Sequence, residues 1–345
     1  MAVASPIAFP GAEPHERLTD SHGRTIHDLR VSVTDRCNYK CVYCRTGEGG
    51  ALYPELTNAE YLRLIRLFVG LGIEKVRLTG GEPLLRRDLL DLIRELAALR
   101  TLSGAPLDLA LTTNGHLLAE LAAPLKEAGL DRATVSMDAV DAAVFERITR
   151  VPHSYEAVLA GIRAARAAGL TPLKINCVLL RGFNDDQVEG FAHFAREENV
   201  AVRFIEFMPL EEGRLWSPEI VVPMAEIVDR INRVLPLQTL PARETSETAR
   251  RYGFADARGE IGIIAPVTQA FCGACSRVRL TSDGKIRTCL FSQVEHDLYG
   301  RMRAGASDEE LRMYIVRTVQ QKESRHHIGE PGFLKPSRSM VHIGG

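Results

Sequence analysis

The sequence predicts an α/β protein, an incomplete TIM-type barrel of six strand–helix units, (βα)6, closed laterally by a C-terminal segment. Three observations carry this expectation. Short β-rich runs alternate six times with helical patterns between Asp28 and about residue 236, the order of parallel strands joined by crossover helices. Each strand is followed by an unusual loop; barrel strands share one mouth at their C-terminal ends, whereas an open doubly wound sheet gathers its ligands at one switch point. A full barrel has eight units, so six leave an opening, and the alternation stops near residue 237 with over a hundred residues still to place.

In order, the units are LRVSV with NAEYLRLIRLFVGLG, KVRLT with 86–99, LDLALTT with 117–128, ATVSM with 141–168, LKINCVLL with 185–198, and VRFIEFM with 223–235. The strand-end loops include DRCNYKCVYC, GGEP, TTNG, SMDA and the long stretch after RFIEFMP. Residues 1–27 carry Pro, Gly, His and Glu without apolar periodicity and are expected as a flexible arm, with the barrel over 28–236. In the C-terminal segment, 237–345, ARRYGFADARGEIGIIAP reads as strand, turn and strand, and Ser282-Asp283-Gly284-Lys285 as a hairpin turn. A last helix is expected over about 307–322, and the Gly- and Pro-punctuated HHIGEPGFLKPSRSMVHIGG reads as extended.

A chain of 345 residues, 45% of them hydrophobic, can bury a substantial core. No apolar run approaches the roughly 20 residues that span a bilayer, and MAVASPIAFPGAEPHERL has neither a basic leader nor a long apolar stretch. A soluble cytoplasmic protein with no membrane partner is expected. Forty-three basic against 44 acidic residues give a net charge of −1, which argues against a nucleic-acid-binding surface. An anionic ligand would need a local cluster of cations.

Six of the seven cysteines fall into two tight groups, Cys37/Cys41/Cys44 and Cys272/Cys275/Cys289. Such grouping favours metal ligation in a reducing compartment over a disulfide framework. The spacing Cys-x3-Cys-x2-Cys places three thiolates on one loop, enough for three irons of a [4Fe–4S] cluster while the fourth stays open to a small molecule. A zinc knuckle would need a fourth nearby ligand, and neither Cys nor His follows Cys44 closely. The second group would hold another cluster or, completed by a histidine such as His296, a zinc ion. Cys177, between Asn176 and Val178, reads as a small core residue.

Thr79-Gly80-Gly81-Glu82-Pro83 ends the second strand, where glycines permit close backbone approach to a ligand and a carboxylate suits an ammonium group. Cations sit where a buried parallel sheet makes them costly: Arg30, Arg77, Lys174 and Arg203 on strands, with Arg277 and Arg279 sharing a strand face after the second cysteine pair. Together they suggest a polyphosphate ligand, and the absence of G-x-x-x-x-G-K-[ST] excludes a P-loop.

The first cysteine loop, with Tyr43 before its third cysteine, resembles the radical S-adenosylmethionine (SAM) superfamily, and GGEP in this order is similar to that superfamily's SAM amino-group motif. LRVSVTDRCNYKCVYC, VRLTGGEPLLR, LTTNG, VSMDAVD, RFIEFMP, FCGACSRVRLTSDGKIRTCL and terminal HIGG together resemble the GTP 3′,8-cyclase family of molybdenum cofactor biosynthesis, from about Asp28 to Gly345. The resemblance implies two [4Fe–4S] clusters, one on each cysteine group, with SAM as cofactor and GTP as substrate. It implies SAM contacts at Tyr43, Gly81, Glu82, Ser136 and Met208, GTP contacts at Arg30, Arg77, Thr112, Lys174, Arg203, Arg277 and Arg279, and catalytic roles for Arg30, Gly344 and Gly345. In that family a 5′-deoxyadenosyl radical takes hydrogen from the ribose C3′ of GTP, and C3′ joins guanine C8. An electron donor, hand-over of product to cyclic pyranopterin monophosphate synthase, and a homodimer belong to the same implication. The rival expectations are a peptide-modifying radical SAM enzyme with an auxiliary cluster, and a non-enzymatic metal scaffold.

Overall fold

The computed structural model describes residues 17–44, 51–213 and 215–344. All six expected strands form: β1 (Asp28–Ser32), β2 (Lys75–Thr79), β3 (Asp108–Thr113), β4 (Arg132–Ser136), β5 (Lys174–Leu179) and β6 (Ala201–Glu206). They lie side by side in chain order, all parallel. The crossovers carry α1 (Asn58–Val69), α2 (Leu89–Ala97), α3 (Leu118–Glu127), α4 (Ala142–Thr149), α5 (Ser154–Ala167), α6 (Val188–Glu197) and α7 (Met224–Val234). The single helix expected over 141–168 is two. Val151 precedes Pro152 and is disfavoured in the helical region, and Arg150 and His153 turn the chain at φ 57° and 56°.

The remaining chain adds β7 (Leu237–Leu240), β8 (Arg250–Phe254), β9 (Glu260–Ile264), β10 (Arg277–Leu280), β11 (Lys285–Arg287), β12 (His296–Asp297), α8 (Leu298–Arg303), α9 (Asp308–Gln320) and α10 (Met340–Ile343). It extends the sheet at both edges: β9 pairs in parallel with β6 and leads to antiparallel β8 and β7, while β10 pairs in parallel with β1 and leads to antiparallel β11 and β12. The result is a mixed twelve-stranded sheet. Among the described residues no ladder joins its two ends, so hydrogen bonding does not close a barrel. The edges of β1 and β6 would otherwise expose unpaired N–H and C=O groups, and β10 and β9 satisfy them.

One face of the sheet is an ordinary core. Leu29, Val31, Val76, Leu78, Leu109, Leu111, Ala133, Val135, Ile175, Cys177, Val202 and Phe204 point to the helices and are buried. The alternate positions carry Arg30, Arg77, Thr112, Thr134, Ser136, Asn176 and Arg203, and these line a single cavity. A parallel sheet is normally apolar on both faces; the period-two split between apolar and polar residues identifies a face built for a ligand.

Residues 1–16 of the expected arm lie outside the described residues. Residues 17–27 pack instead: Leu18 and Ile26 are buried, and Arg24 pairs with Asp20 at 2.6 Å while donating to the carbonyls of Cys272, Glu323 and Ser324. The tail also departs from expectation, since Met340–Ile343 form a helical turn rather than an extended strand. The strand β7 and the short helix α8 had no clear periodic signal, being only four and six residues long.

Candidate active site

Both cysteine groups face the cavity, and no disulfide joins any described cysteines. The first group occupies the loop after β1. That loop is pinned from outside by amides of Lys40 and Val42 on the carbonyls of Thr149 and Ile148, and from above by Asn114, whose amide donates to Asn38 Oδ1 at 2.7 Å. The second group sits on a tight turn before β10 and on the chain after β11: Cys272, Cys275 and Cys289. Burial pushes the Cys275 thiol up, but Arg277, donating to its sulfur at 3.4 Å, and Lys322 outweigh burial and bring it to about 6. It is a thiolate at neutral pH and a ready ligand. Burial pushes Cys41 well above the usual thiol range, with Asp138 and its neighbouring thiols adding to the effect. That cost is relieved when a cation or cationic cluster takes the thiolates. His296, the alternative fourth ligand, lies on β12 and does not line the cavity.

The glycines of the TGGEP loop serve a nearer partner than the sequence suggested. A Cβ on Gly80 would stand 2.2 Å from the Thr34 carbonyl oxygen, and one on Gly81 2.3 Å from that of Arg36. The close approach is to the cysteine loop, sealed by Gly81 N–H to Thr34 O at 2.8 Å and Glu82 N–H to Arg36 O at 2.7 Å. Gly81 still lines the cavity; Glu82 does not. The Glu82 carboxylate is fully buried and accepts from Leu84 N–H, Thr113 Oγ1 and Asn114 N–H. Burial raises it to about 7 against the pull of those three donors. Glu82 thus ties the loops after β2 and β3 together.

Of the other expected SAM contacts, Tyr43, Ser136 and Met208 all line the cavity. The Tyr43 hydroxyl donates to Asp138 Oδ2 at 2.6 Å, and Val178 N–H donates to Asp138 Oδ1 at 2.9 Å. Burial lifts Asp138 to about 6, against those two hydrogen bonds.

Six of the seven expected GTP contacts line the cavity, and Lys174 does not. Arg279, Arg30 and Arg77 stand in register on β10, β1 and β2, so three guanidinium-bearing residues occupy one rung of adjacent strands about 4.8 Å apart. Like charges placed directly opposite are destabilising. Burial above all lowers Arg30, Arg77 and Arg203 to about 10 and Arg279 well below the usual range; neighbouring cations add to it, while Asp28 opposes it at Arg30 and Arg77, and Glu247 and Glu260 at Arg203. Thr112 lines the cavity and accepts from Arg77 Nη1 at 3.3 Å. Lys174 is on the same strand face as Asn176 and Val178 but lies one step deeper, outside the lining. Burial, then Arg203, Arg132 and Arg77, drop its amine to about 7.

The chain's end reaches the same place. Arg279 donates to the carbonyl of Gly344, which turns at φ 70°; a Cβ there would meet Thr79 Cγ2 at 2.6 Å. Gly345 lies outside the described residues. Cys177, as expected, is in the helix-side core.

Sequence reasoning missed several lining residues: Asp138, Asn176, Phe271, Lys322 and His326. Asp138 lies in the VSMDAVD motif, and Asn176 follows Lys174 at the strand period, so both carried a signal. Lys322 and His326 follow α9 and carried none. Four buried polar atoms on this wall have no hydrogen-bond partner: Arg30 Nε, Asn176 Oδ1 and both ring nitrogens of His326. Buried polar groups in native proteins are satisfied, so this deficit describes a polar ligand.

Comparison with known proteins gives the family. The family described as Radical SAM superfamily matches residues 31–195, and that described as Molybdenum Cofactor Synthesis C matches residues 200–328. The chain is 44% identical over 331 residues to the GTP 3′,8-cyclase of Moorella thermoacetica, covering 95% of this chain and 100% of that one. It is 45% identical over 348 residues to the GTP 3′,8-cyclase of Corynebacterium glutamicum, covering 98% and 92%. Streptococcus suis SuiB bound to S-adenosylmethionine has the same fold at TM-score 0.59 and 14% identity, covering 87% of this chain and 69% of that one. With full-length identity at this level, and both cysteine groups facing one polar cavity, the chain belongs to the GTP 3′,8-cyclase family of radical SAM enzymes in molybdenum cofactor synthesis.

Proposed function

We propose that this chain converts GTP to 3′,8-cyclo-7,8-dihydro-GTP, the first step of molybdopterin synthesis, at the cavity between the two cysteine groups. The observation that carries the reading is the rung of Arg279, Arg30 and Arg77 beside Cys272, Cys275 and Cys289. Cations so crowded need a polyanion, and a triphosphate supplies one.

Both cysteine groups suit multi-iron clusters. Each is a set of three thiol side chains turned to the cavity, a donor set that holds three irons of a four-iron cluster and leaves the fourth open. Cys37, Cys41 and Cys44 would hold one cluster, and Cys272, Cys275 and Cys289 the other. When bound, the first cluster with SAM supplies a 5′-deoxyadenosyl radical.

The chain's own work is placement and exclusion of water. Tyr43, Gly81, Ser136 and Met208 form the SAM side of the cavity, with Glu82 fixing the loops beneath it. Arg30, Arg77, Lys174, Arg203, Arg277 and Arg279 neutralise the triphosphate, with Thr112 on the same wall. Gly344, held by Arg279, and Gly345 after it would assist at the reacting ribose, with Arg30 next to Arg279 on the neighbouring strand. On this reading residues 28–236 act as a partial six-unit barrel, and 237–345 supplies its second cluster site and tail. An external electron donor completes the reaction, and the product passes to the next enzyme of the same synthesis.

Anaerobic reconstitution tests this assignment. Two four-iron clusters give about eight irons per chain; about four irons, or zinc in place of iron, would contradict it.

A further inference from the structure

The tail reaches the cavity wall, with Met340 and Val341 in its lining and the Gly344 carbonyl on Arg279, yet the residue that fixes its reach lies outside the cavity. Arg338 is 4% exposed. It grips Asp283 through two parallel bonds, Nη1 to Oδ1 and Nη2 to Oδ2, both 2.9 Å, and its Nη2 also lies 2.7 Å from Glu295 Oε2. Its guanidinium stands 3.8 Å from the centroid of the Tyr53 ring. Neither carboxylate is a casual surface partner. Asp283 is on the β10–β11 turn, held by Thr281 Oγ1 at 2.6 Å, and Glu295 also pairs with Arg287 at 2.7 Å. Tyr53 packs edge-on against His342 at 5.3 Å between centroids, so one ring braces both the clamp and the helical turn beyond it.

We infer that Arg338 is a positioning residue for the cyclisation: it is the fixed point from which the last residues are measured into the cavity. The inference rests on the cyclase reading above for its chemical consequence. Gly344 stands six positions after Arg338, and Ser339 opens the one-turn α10 between them. At 1.5 Å per helical residue, the clamp sets the position of Gly344 from roughly 9 Å away. The far end is seated by Arg279 on the Gly344 carbonyl, where a Cβ would meet Thr79 at 2.6 Å and Ser32 at 3.4 Å. A short helical turn held at both ends has one register. Releasing the outer end lets Gly344 shift, and a displacement near 1 Å from a remote change is enough to cost about a hundredfold in rate. None of the clamp's groups lines the cavity, so binding of nucleotide and SAM is not what it controls. A planar, bidentate and stacked site suits Arg and is met only in part by Lys.

The test uses the full-length, reconstituted holoenzyme with Arg338→Gln, Arg338→Lys and, as a milder lesion, Tyr53→Leu. Expected for Arg338→Gln is a ten- to hundredfold fall in the rate of cyclised product, with iron content unchanged, GTP affinity within threefold, and 5′-deoxyadenosine continuing to form uncoupled from product. Arg338→Lys should recover part of the loss. Placing Arg338→Gln on a chain lacking Gly344 and Gly345 should cost nothing further, because both changes disable one unit. Amide hydrogen exchange at residues 340–344 should accelerate in Arg338→Gln while the β1–β6 amides stay protected. That readout stands even if GTP proves not to be the substrate. Full-rate product from Arg338→Gln, an additive loss in the tail-less chain, or unchanged exchange at 340–344 would each overturn the inference. If Arg338→Gln lowers thermal stability broadly, Tyr53→Leu decides by the same coupling ratio and exchange pattern.

Discussion

Lys174 should take up a proton when GTP binds. Its amine, ordinarily near 10.5, is held at about 7 by burial and by Arg203, Arg132 and Arg77. At pH 8 roughly a tenth of the free protein carries the charge. A triphosphate cancels the repulsion from the three arginines and returns the amine to its usual range, so binding takes up roughly 0.9 proton per nucleotide at that pH. Lys174→Met removes this proton, and loss of one charge-assisted contact costs about 1.5–3 kcal/mol, a ten- to hundredfold loss of affinity. The same depression governs stability without ligand. Because the folded value lies below the unfolded one, the penalty on the folded state is full below about pH 7 and fades as pH rises toward 10.5. At about 1.4 kcal/mol per pH unit its upper limit is about 5 kcal/mol; solvent reaching the cavity leaves about 1–3 kcal/mol. Lys174→Met should therefore stabilise the nucleotide-free protein at pH 6.5 and do so much less at pH 9.5. Anaerobic titration calorimetry at pH 8, in two buffers of different ionisation enthalpy, reads the proton directly. Equal apparent enthalpies in the two buffers for wild type, or an uptake that survives Lys174→Met, would refute the reasoning.

Three further outcomes follow from the same geometry. Cys41→Ala should abolish 5′-deoxyadenosine formation, whereas Cys289→Ala should retain SAM cleavage and lose GTP placement, as read by chromatography and equilibrium dialysis. Glu82→Leu orphans three buried donors and should cost about 2–4 kcal/mol in denaturant unfolding, with the loops after β2 and β3 loosened; unchanged stability would remove Glu82 from its tying role. Deleting Gly344 and Gly345 should leave iron content and GTP affinity near wild type while cyclised product falls sharply, and full-rate product would make the tail a bystander.

Much of this site was legible in the sequence because parallel strands impose a period of two. Arg30, Arg77 and Arg203 sit at alternate positions to core aliphatics, and no core tolerates them without an anion. The cysteine groups were legible from spacing alone. What the sequence hid depends on contacts between distant segments. That Gly80 and Gly81 yield space to Thr34 and Arg36, and that Glu82 is consumed by Thr113 and Asn114, follows from the packing of three loops, the contacting residues each about thirty or more positions apart. A motif read in isolation assigns such groups to the ligand. The tail shows the converse failure: one turn of helix over Met340–Ile343 has too little periodicity to detect, and isolated helices this short do not persist in water. It forms because Arg338 and Arg279 hold its two ends. The sheet's edges were hidden for a similar reason, since nothing in RVRL or EIGII states which edge of β1–β6 each will join.

The most direct test of the central claim is anaerobic incubation of the reconstituted enzyme with SAM, dithionite and GTP deuterated at C3′. The account predicts a nucleotide isomeric with GTP, formed in step with 5′-deoxyadenosine that carries the deuterium. Unaltered GTP alongside 5′-deoxyadenosine free of deuterium would contradict it.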